Sequence, residues 1–300
     1  MKAIKTILAG AATALALSCC TTPEKAPESR FTLWQLPSMA DDHGNSYVIR
    51  TANDSIIVID GGKIAETNYL RGFLGAMGNR VTAWIFTHPH WDHMAAAQAI
   101  LADRQGLEVG HIYHSRFTPE MLVPREGVES PAEALPWYAT LDSIEALKAI
   151  PVTDMHTGDS LVIDGVKFRI LSEKNPEISA NLYNNSSMAM RVEDDSKSVV
   201  FLGDLGIEGG NKLLNSEYRK YLDCDYLQMA HHGQNGCDEN FYKTINFRAC
   251  LWPTPTWLWN NDIGNGPGSG PWATESTRRW MDEKGITEHY PAFEGLHRID

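Results

Sequence analysis

The chain has 300 residues, a formal net charge of −12 and a hydrophobic share of 43%, with nine tryptophans. That share is enough for a sizeable core and excludes a disordered chain. The acidity, with no Lys/Arg cluster to offset it, argues against long polyanions as partners.

The first residues form a distinct segment. Lys2 and Lys5 precede a small, apolar run from Ile7 to Ser18, and Cys19 and Cys20 follow. This run is too short to span a bilayer, so residues 1–18 read as a secretory signal. Ala16-Leu17-Ser18-Cys19 resembles a bacterial lipobox, in which the cysteine becomes the lipid-bearing N-terminus. Leu17-Ser18-Cys19-Cys20 offers a second register. Losing Lys2 and Lys5 takes the net charge from −12 to −14. Residues 19–30, rich in Thr, Pro, Glu and Ser from 21 onward, read as a flexible tether. The expectation is an exported protein, lipid-anchored to a bacterial membrane at Cys19 or Cys20 and facing the periplasm or exterior. Nothing in residues 31–300 reads as a linker, so one domain is expected there.

Strands are expected at 31–36, 46–52 and 54–60, with Ala52-Asn53-Asp54 as the turn between the last two. Asp60-Gly61-Gly62 ends the third. Ile64, Tyr69, Leu70, Phe73, Leu74 and Met77 recur at helical spacing and predict a helix over 65–77. Residues 81–87 read as a buried strand, and Thr87-His88-Pro89-His90-Trp91-Asp92-His93 leaves its carboxyl end, where α/β sheets usually place their sites. Alternation in an extended segment points His88 and His90 the same way. Asp92 and His93 open a helix expected to run to Ala102. Imidazoles and a carboxylate this close together suit zinc, manganese or iron.

Leu107–His114 reads as a strand, and 116–150 as a helical insertion over the site. Leu141, Ile144, Leu147 and Ile150 form a core-facing stripe. His111, His114 and His156 fall outside any ligand-spaced group and are expected to be structural. Residues 158–165 followed by 166–171 predict a hairpin closed by Asp164-Gly165, which begins the second half of the fold. Two further apolar strands end in Gly203-Asp204 and in His231-His232-Gly233. Cys224, Cys237 and Cys250 permit at most one disulfide and read as buried structural thiols. Trp252, Trp257, Trp259, Trp272 and Trp280 flank a Gly-, Asn- and Pro-rich loop at 260–271. They could line a substrate cleft or pack a helix at 275–284 onto the sheet.

These motifs together resemble the metallo-β-lactamase superfamily, over most of residues 31–300. The resemblance implies an α/β fold, a four-layer αββα sandwich with a metal site on one edge. It implies that Asp60 orients the metal-binding loop from beneath and that Asp204 is a carboxylate able to bridge two ions. Asn184-Asn185-Ser186-Ser187, Gly203-Asp204 and His231-His232-Gly233 are similar to the hydrolase domain of ComEC-type DNA-uptake proteins and their soluble relatives. That subgroup lacks the extra histidine that lactamases place before the bridging aspartate, and Asn185 and Ser187 stand there instead. A site of His88, His90 and Asp204 is then poorer in ligands than one of Asp92, His93, Asp204 and either His231 or His232. Analogy with the family's His-Gly ending favours His232.

The leading expectation is a hydrolase with one or two zinc or manganese ions per chain and a metal-activated water as nucleophile. Asp92 would take up a proton and His232 would neutralise the developing oxyanion. The alternatives are a non-catalytic metal- or ligand-binding lipoprotein and a diiron oxidoreductase, whose members usually carry Glu at the position of His90. The charge and the Trp-rich tail favour a small phosphodiester or ester over long nucleic acid.

Overall fold

Period-two alternation in the first three strands already separates two cores. In β1 (Phe31–Gln35), β2 (Ser46–Thr51) and β3 (Ile56–Asp60), the residues Leu33, Tyr47, Ile49, Ile57 and Ile59 face one hydrophobic layer. Trp34, Val48, Ile56 and Val58 face another. A sheet apolar on both faces must be covered on both. The computed structural model describes residues 30–124 and 128–300, so the signal segment, Cys19, Cys20 and nearly all of the tether lie outside the described residues.

The chain continues through α1 (Thr67–Ala76), β4 (Arg80–Val81), β5 (Ala83–Phe86), α2 (Trp91–Ala102), β6 (Glu108–Val109) and β7 (Ile112–His114). Next come α3 (Ala134–Ala146), β8 (Val152–Asp154), β9 (Ser160–Ile163), β10 (Val166–Ile170), α4 (Leu182–Asn185), β11 (Met190–Glu193) and β12 (Ser198–Phe201). The remainder is α5 (Ile207–Leu214), β13 (Tyr226–Gln228), α6 (Glu239–Thr244), β14 (Ala249–Trp252), α7 (Thr256–Trp259), α8 (Thr274–Lys284), β15 (Glu288–Pro291) and β16 (His297–Ile299).

Two seven-stranded sheets result, in the orders β16-β1-β2-β3-β5-β7-β8 and β15-β14-β13-β12-β11-β10-β9. Their inner faces share one core, in which Tyr47, Ile57 and Ile85 meet Phe168, Val199, Phe201 and Leu251. Truncating one such buried isoleucine to Ala would cost about 2–5 kcal/mol. Leu70 and Leu74 of α1, Met94 and Ile100 of α2, and Trp137 and Leu141 of α3 cover the first sheet. Leu213 of α5, Phe241 and Tyr242 of α6, and Met281 of α8 cover the second. This is the αββα sandwich. Among the described residues, no helix is long and apolar enough to cross a membrane.

Several expected elements differ in extent. Asp54 is left-handed at φ 66°, which delays β3 until Ile56. The expected helix over 65–77 divides into a 3-10 turn at Ile64–Glu66 and α1. The strands expected at 81–87 and 107–114 both break, because the Gly110 amide donates to the Val81 carbonyl at 2.8 Å and draws β4 and β6 into a separate ribbon. In the insertion, the regular pieces among the described residues are a 3-10 turn at Pro119–Leu122 and α3. Leu147 departs from the expected stripe: it is 75% exposed, while Leu141, Ile144 and Ile150 are buried. Each three-residue step on an α-helix slips by about 60°, so two steps rotate the stripe out of the core. The Asp164-Gly165 turn forms as expected, with φ of 50° and 84°. Cys237 and Cys250 are buried, Cys224 is half-buried, and all three are free thiols. Burial pushes the Cys224 thiol up to about 12, so it is protonated and unreactive at neutral pH.

Candidate metal centre

Parallel pairing of β3 with β5, of β12 with β13 and of β13 with β14 sets the carboxyl ends of these strands along one edge of the sandwich. Asp60 ends β3 in a left-handed conformation, φ 55°. Its fully buried carboxylate accepts from the Thr87 amide (2.8 Å), the Thr87 hydroxyl (2.8 Å) and the Asn45 amide (2.8 Å). It also holds His93 Nδ1 at 2.7 Å. That bond turns His93 Nε2 toward Asp204 and fixes the ring that carries it.

His231, His232 and Gly233 follow one another with φ of 53°, 57° and 81°. For the two histidines this left-handed backbone costs of order 1–3 kcal/mol each and persists only when the surroundings hold it. Here the His231 amide donates to the Gly203 carbonyl at 3.1 Å, and the Thr254 hydroxyl to the His232 carbonyl at 2.6 Å. His232 Nδ1 lies 2.9 Å from the Pro253 carbonyl, which leaves Nε2 2.9 Å from Asp92 Oδ2 and 3.3 Å from Asp204 Oδ2. A glycine is required at 203: φ is 56°, and a Cβ there would approach Ser187 Oγ to 2.8 Å. The Ser187 hydroxyl in turn accepts from the Asp204 amide at 2.9 Å.

Asp92, His93, Asp204 and His232 are all buried, and one ligand atom from each lies within 4.8 Å of the others. His93 Nε2 stands 3.1 Å from Asp204 Oδ1, yet neither atom has a properly directed hydrogen-bond partner. Buried polar atoms without partners are costly and call for a cause. A tetrahedral shell with bonds about 2.1 Å long spaces its ligand atoms about 3.4 Å apart. The spacings of 2.9, 3.1 and 3.3 Å lie close to that shell, and the 3.9 Å from His93 Nε2 to Asp92 Oδ2 is somewhat wider. Two imidazoles and two carboxylates suit a zinc- or manganese-like divalent ion.

The charges agree with the geometry. Burial alone would raise the Asp204 carboxyl, but His93 and His232 hold it well below its usual range. Asp92 is lowered in the same way, against burial, by His93 and His232. Burial would lower His232, and Asp204 and Asp92 reverse this, raising it to about 9. His93 is raised well above its usual value, because Asp204, Asp60 and Asp92 outweigh its burial. The two histidines and two carboxylates thus favour each other's charged forms, and a divalent cation bound among them would displace the histidine protons.

The other expected residues take different places. His88 Nε2 pairs with His90 Nδ1 at 3.0 Å, and His88 Nδ1 lies 3.2 Å from the Ser187 hydroxyl. Neither histidine belongs to the four-residue group. Burial holds both below the usual histidine pKa, so they are neutral donors. His231 Nε2 is 4.0 Å from Asp204 Oδ2 and 3.3 Å from Asn184 Nδ2. Asn185, which stands where lactamases place the extra histidine, does not reach the candidate ligands. It accepts from the Gly209 amide at 2.8 Å and donates to Ala180 and Glu208, fastening the start of α5. His111 bonds Thr153, His156 bonds Glu173, and His114 is buried away from the site.

Two residues here carry no motif. His43 stands on the irregular connection between β1 and β2, with Nε2 3.6 Å from Asp92 Oδ2. Glu129 lies 3.8 Å from His90 Nε2. The only sequence signal for His43 is a lone histidine in a polar stretch beside Asp41 and Asp42.

A strand-end cluster of histidines and aspartates on an αββα sandwich defines a candidate divalent-metal site. A model of the Metallo-beta-lactamase superfamily matches residues 39–236, and the chain belongs to that superfamily. It is similar to ComE operon protein 3 of Bacillus subtilis (strain 168), at 26% identity over 181 residues, in keeping with the ComEC-type resemblance. That match covers 60% of this chain and 21% of the relative, so the chain spans about a fifth of that protein's length. The metallo-beta-lactamase fold protein YhfI from Bacillus subtilis superposes with a TM-score of 0.53 at 14% identity, covering 90% of this chain and 100% of that one. A mutant of the CmlA beta-hydroxylase gives 0.54 at 13% identity, covering 91% and 54%. At such identities these two structures bear on the fold alone.

Proposed function

We propose that the protein is a metal-dependent hydrolase acting on a small phosphodiester or ester, with one or two zinc or manganese ions. The observation that carries the reading is the buried group Asp92, His93, Asp204 and His232, with His93 Nε2 and Asp204 Oδ1 lacking hydrogen-bond partners. These four residues would hold the better-liganded ion, and His88 and His90, sharing Asp204, a second and weaker one. A bound divalent ion supplies a water whose pKa is lowered toward about 7, and hence a hydroxide nucleophile.

The remaining work falls to the chain's own groups. Asp60 keeps the Nε2 of His93 aimed inward. The Pro253 carbonyl keeps His232 in the tautomer that exposes Nε2 to the site. Asp92 would accept a proton during attack, while His232, with Nδ1 at the Pro253 carbonyl and Nε2 facing the other candidate ligands, would serve as a ligand rather than as a donor to the developing oxyanion. The net charge of −12, or −14 without residues 1–18, supports a small substrate over long DNA. Lipid attachment at Cys19 or Cys20 would place this activity on an exported, membrane-held protein.

The test measures metal content, then turnover of a chromogenic phosphodiester, a chromogenic ester and long single-stranded DNA across a salt series. Hydrolysis of a small substrate, faster with added manganese or zinc and little affected by salt, is expected. Preference for DNA with a steep salt dependence would overturn the choice of substrate. Stoichiometric metal without any turnover would favour a non-catalytic metal-binding lipoprotein.

A further inference from the structure

The five tail tryptophans divide into two groups. Trp252 is fully buried, and Trp259 and Trp280 pack with it against the outer face of the second sheet. Trp257 and Trp272 lie elsewhere, with ring centroids 4.8 Å apart, both partly exposed. Trp257 reaches His43 at 6.0 Å, and His43 reaches Trp91 at 5.7 Å. These four rings form one continuous series beside the metal centre. Its midpoint touches the centre, since the His43 ring lies 5.2 Å from His232 and its Nε2 lies 3.6 Å from Asp92.

The series is held from behind. The Thr256 amide, at the start of α7, donates to Asp41 Oδ1 at 2.7 Å and ties the tail to the connection that carries His43. Glu66 accepts from the Met39 and Ala40 amides of the same connection, both at 3.2 Å. Asn261 Oδ1 accepts from the Trp272 amide at 3.0 Å. The ring of Trp272 lies so close to Gly270 that a Cβ there would come within 2.6 Å. Lys63 is paired with Asp42 and sits 4.1 Å over the ring of Trp91. Trp91 is nonetheless 41% exposed, although it opens the helix that carries Asp92 and His93. A large ring fixed in place and left open to solvent beside a reactive centre is suited to stacking on a flat partner.

We infer that Trp91, His43, Trp257 and Trp272 form a stacking subsite for a planar aromatic ring carried by the substrate, next to its phosphoryl or ester group. The inference rests on the hydrolase reading only for the group attached to the ring. The ring could be a nucleobase or a simple aryl group, since both present the same flat π-face.

Binding to the intact chain separates these sources without requiring turnover. Phenyl phosphate, adenosine 5′-monophosphate and methyl phosphate are titrated by calorimetry, with tryptophan fluorescence followed in parallel. At least one of the two ring-bearing phosphates should bind about tenfold or more tighter than methyl phosphate and change the fluorescence. Preference for adenosine monophosphate alone identifies a nucleobase, for phenyl phosphate alone an aryl group, and for both a site that takes either. Trp91→Leu and Trp257→Leu should each erode the preference by about tenfold, the scale of one stacked ring. Metal content and melting temperature should stay unchanged in both variants. Equal affinity for all three phosphates, or a preference that survives the double substitution, overturns the subsite. Ring preference without metal-dependent turnover would defeat the hydrolase reading and leave the subsite standing. Turnover without ring preference would do the reverse.

Discussion

Asp60 and His93, 33 residues apart in sequence, meet at 2.7 Å with no exposure on either side chain. This contact binds the end of β3 to the first turn of α2, and it sets which nitrogen of His93 faces the other candidate ligands.

Asp60→Asn keeps the size and tolerates the left-handed backbone, but it replaces an anionic acceptor with a neutral amide. Affinity for zinc should fall about 10- to 100-fold, as is typical when the partner of a metal-bound histidine is lost. Stability should also fall by about 1–3 kcal/mol, because the Thr87 amide and hydroxyl lose a charged acceptor. Metal titration and thermal melting measure the two effects. Unchanged zinc affinity would show that Asp60 does not orient the site.

Asp204→Ala should abolish metal binding at both proposed positions, since that carboxylate is common to them. His232→Ala should weaken binding by at least tenfold, and His231→Ala by less, because His231 stands 4.0 Å from Asp204. Elemental analysis of the three variants decides. Full metal retention in Asp204→Ala, or a larger loss with His231→Ala than with His232→Ala, would refute the ligand assignment.

The buried His114 gives a pH dependence away from the metal centre. Burial, helped by Arg116 and Lys174, lowers it from 6.5 to about 4. The unfolded chain therefore binds a proton that the folded chain refuses between these values. The stability is fully present above pH 6.5 and is lost as pH falls toward 4, by an amount of order 3 kcal/mol. Buried histidines of the metal centre titrate as well, so the informative quantity is a difference in slope. His114→Gln should show a shallower fall than the unsubstituted chain in denaturant melts from pH 7 to 4. Parallel curves would mean that His114 does not contribute.

Cys19→Ser with Cys20→Ser should move the protein from the membrane to the soluble fraction. Either cysteine could carry the lipid in its own register, so only the double substitution is decisive. Fractionation that ignores the change would end the anchor reading.

The sequence made the layers and the cluster legible where local rules govern. Apolar runs at 31–36, 46–52 and 54–60 marked the first three strands, and Asp164-Gly165 marked the hairpin. Strand ends marked His88, Asp92, His93, Asp204 and the His231-His232 pair. What escaped depended on long-range contact. His43 sits on an irregular connection and reaches Asp92 only once α2 docks beside it. Asn184 and Asn185 are neighbours of the same residue type, and the turn of α4 decides which one meets His231. The pairing of β16 with β1 joins segments at opposite ends of the chain, and no local pattern announces it.

The direction of β1 has a further consequence. Phe31 pairs with Thr51, whereas Gln35 pairs with Tyr47, one residue from the Ser46 that faces Asp60. Arg30 therefore enters the sandwich at the rim away from the metal centre, at the far end of a strand about 13 Å long. A chain held at a bilayer through residues preceding Arg30 would be attached at this rim, away from the metal centre. The point of attachment and the metal centre would then lie at opposite ends of β1, so that holding the chain at a surface need not cover the site.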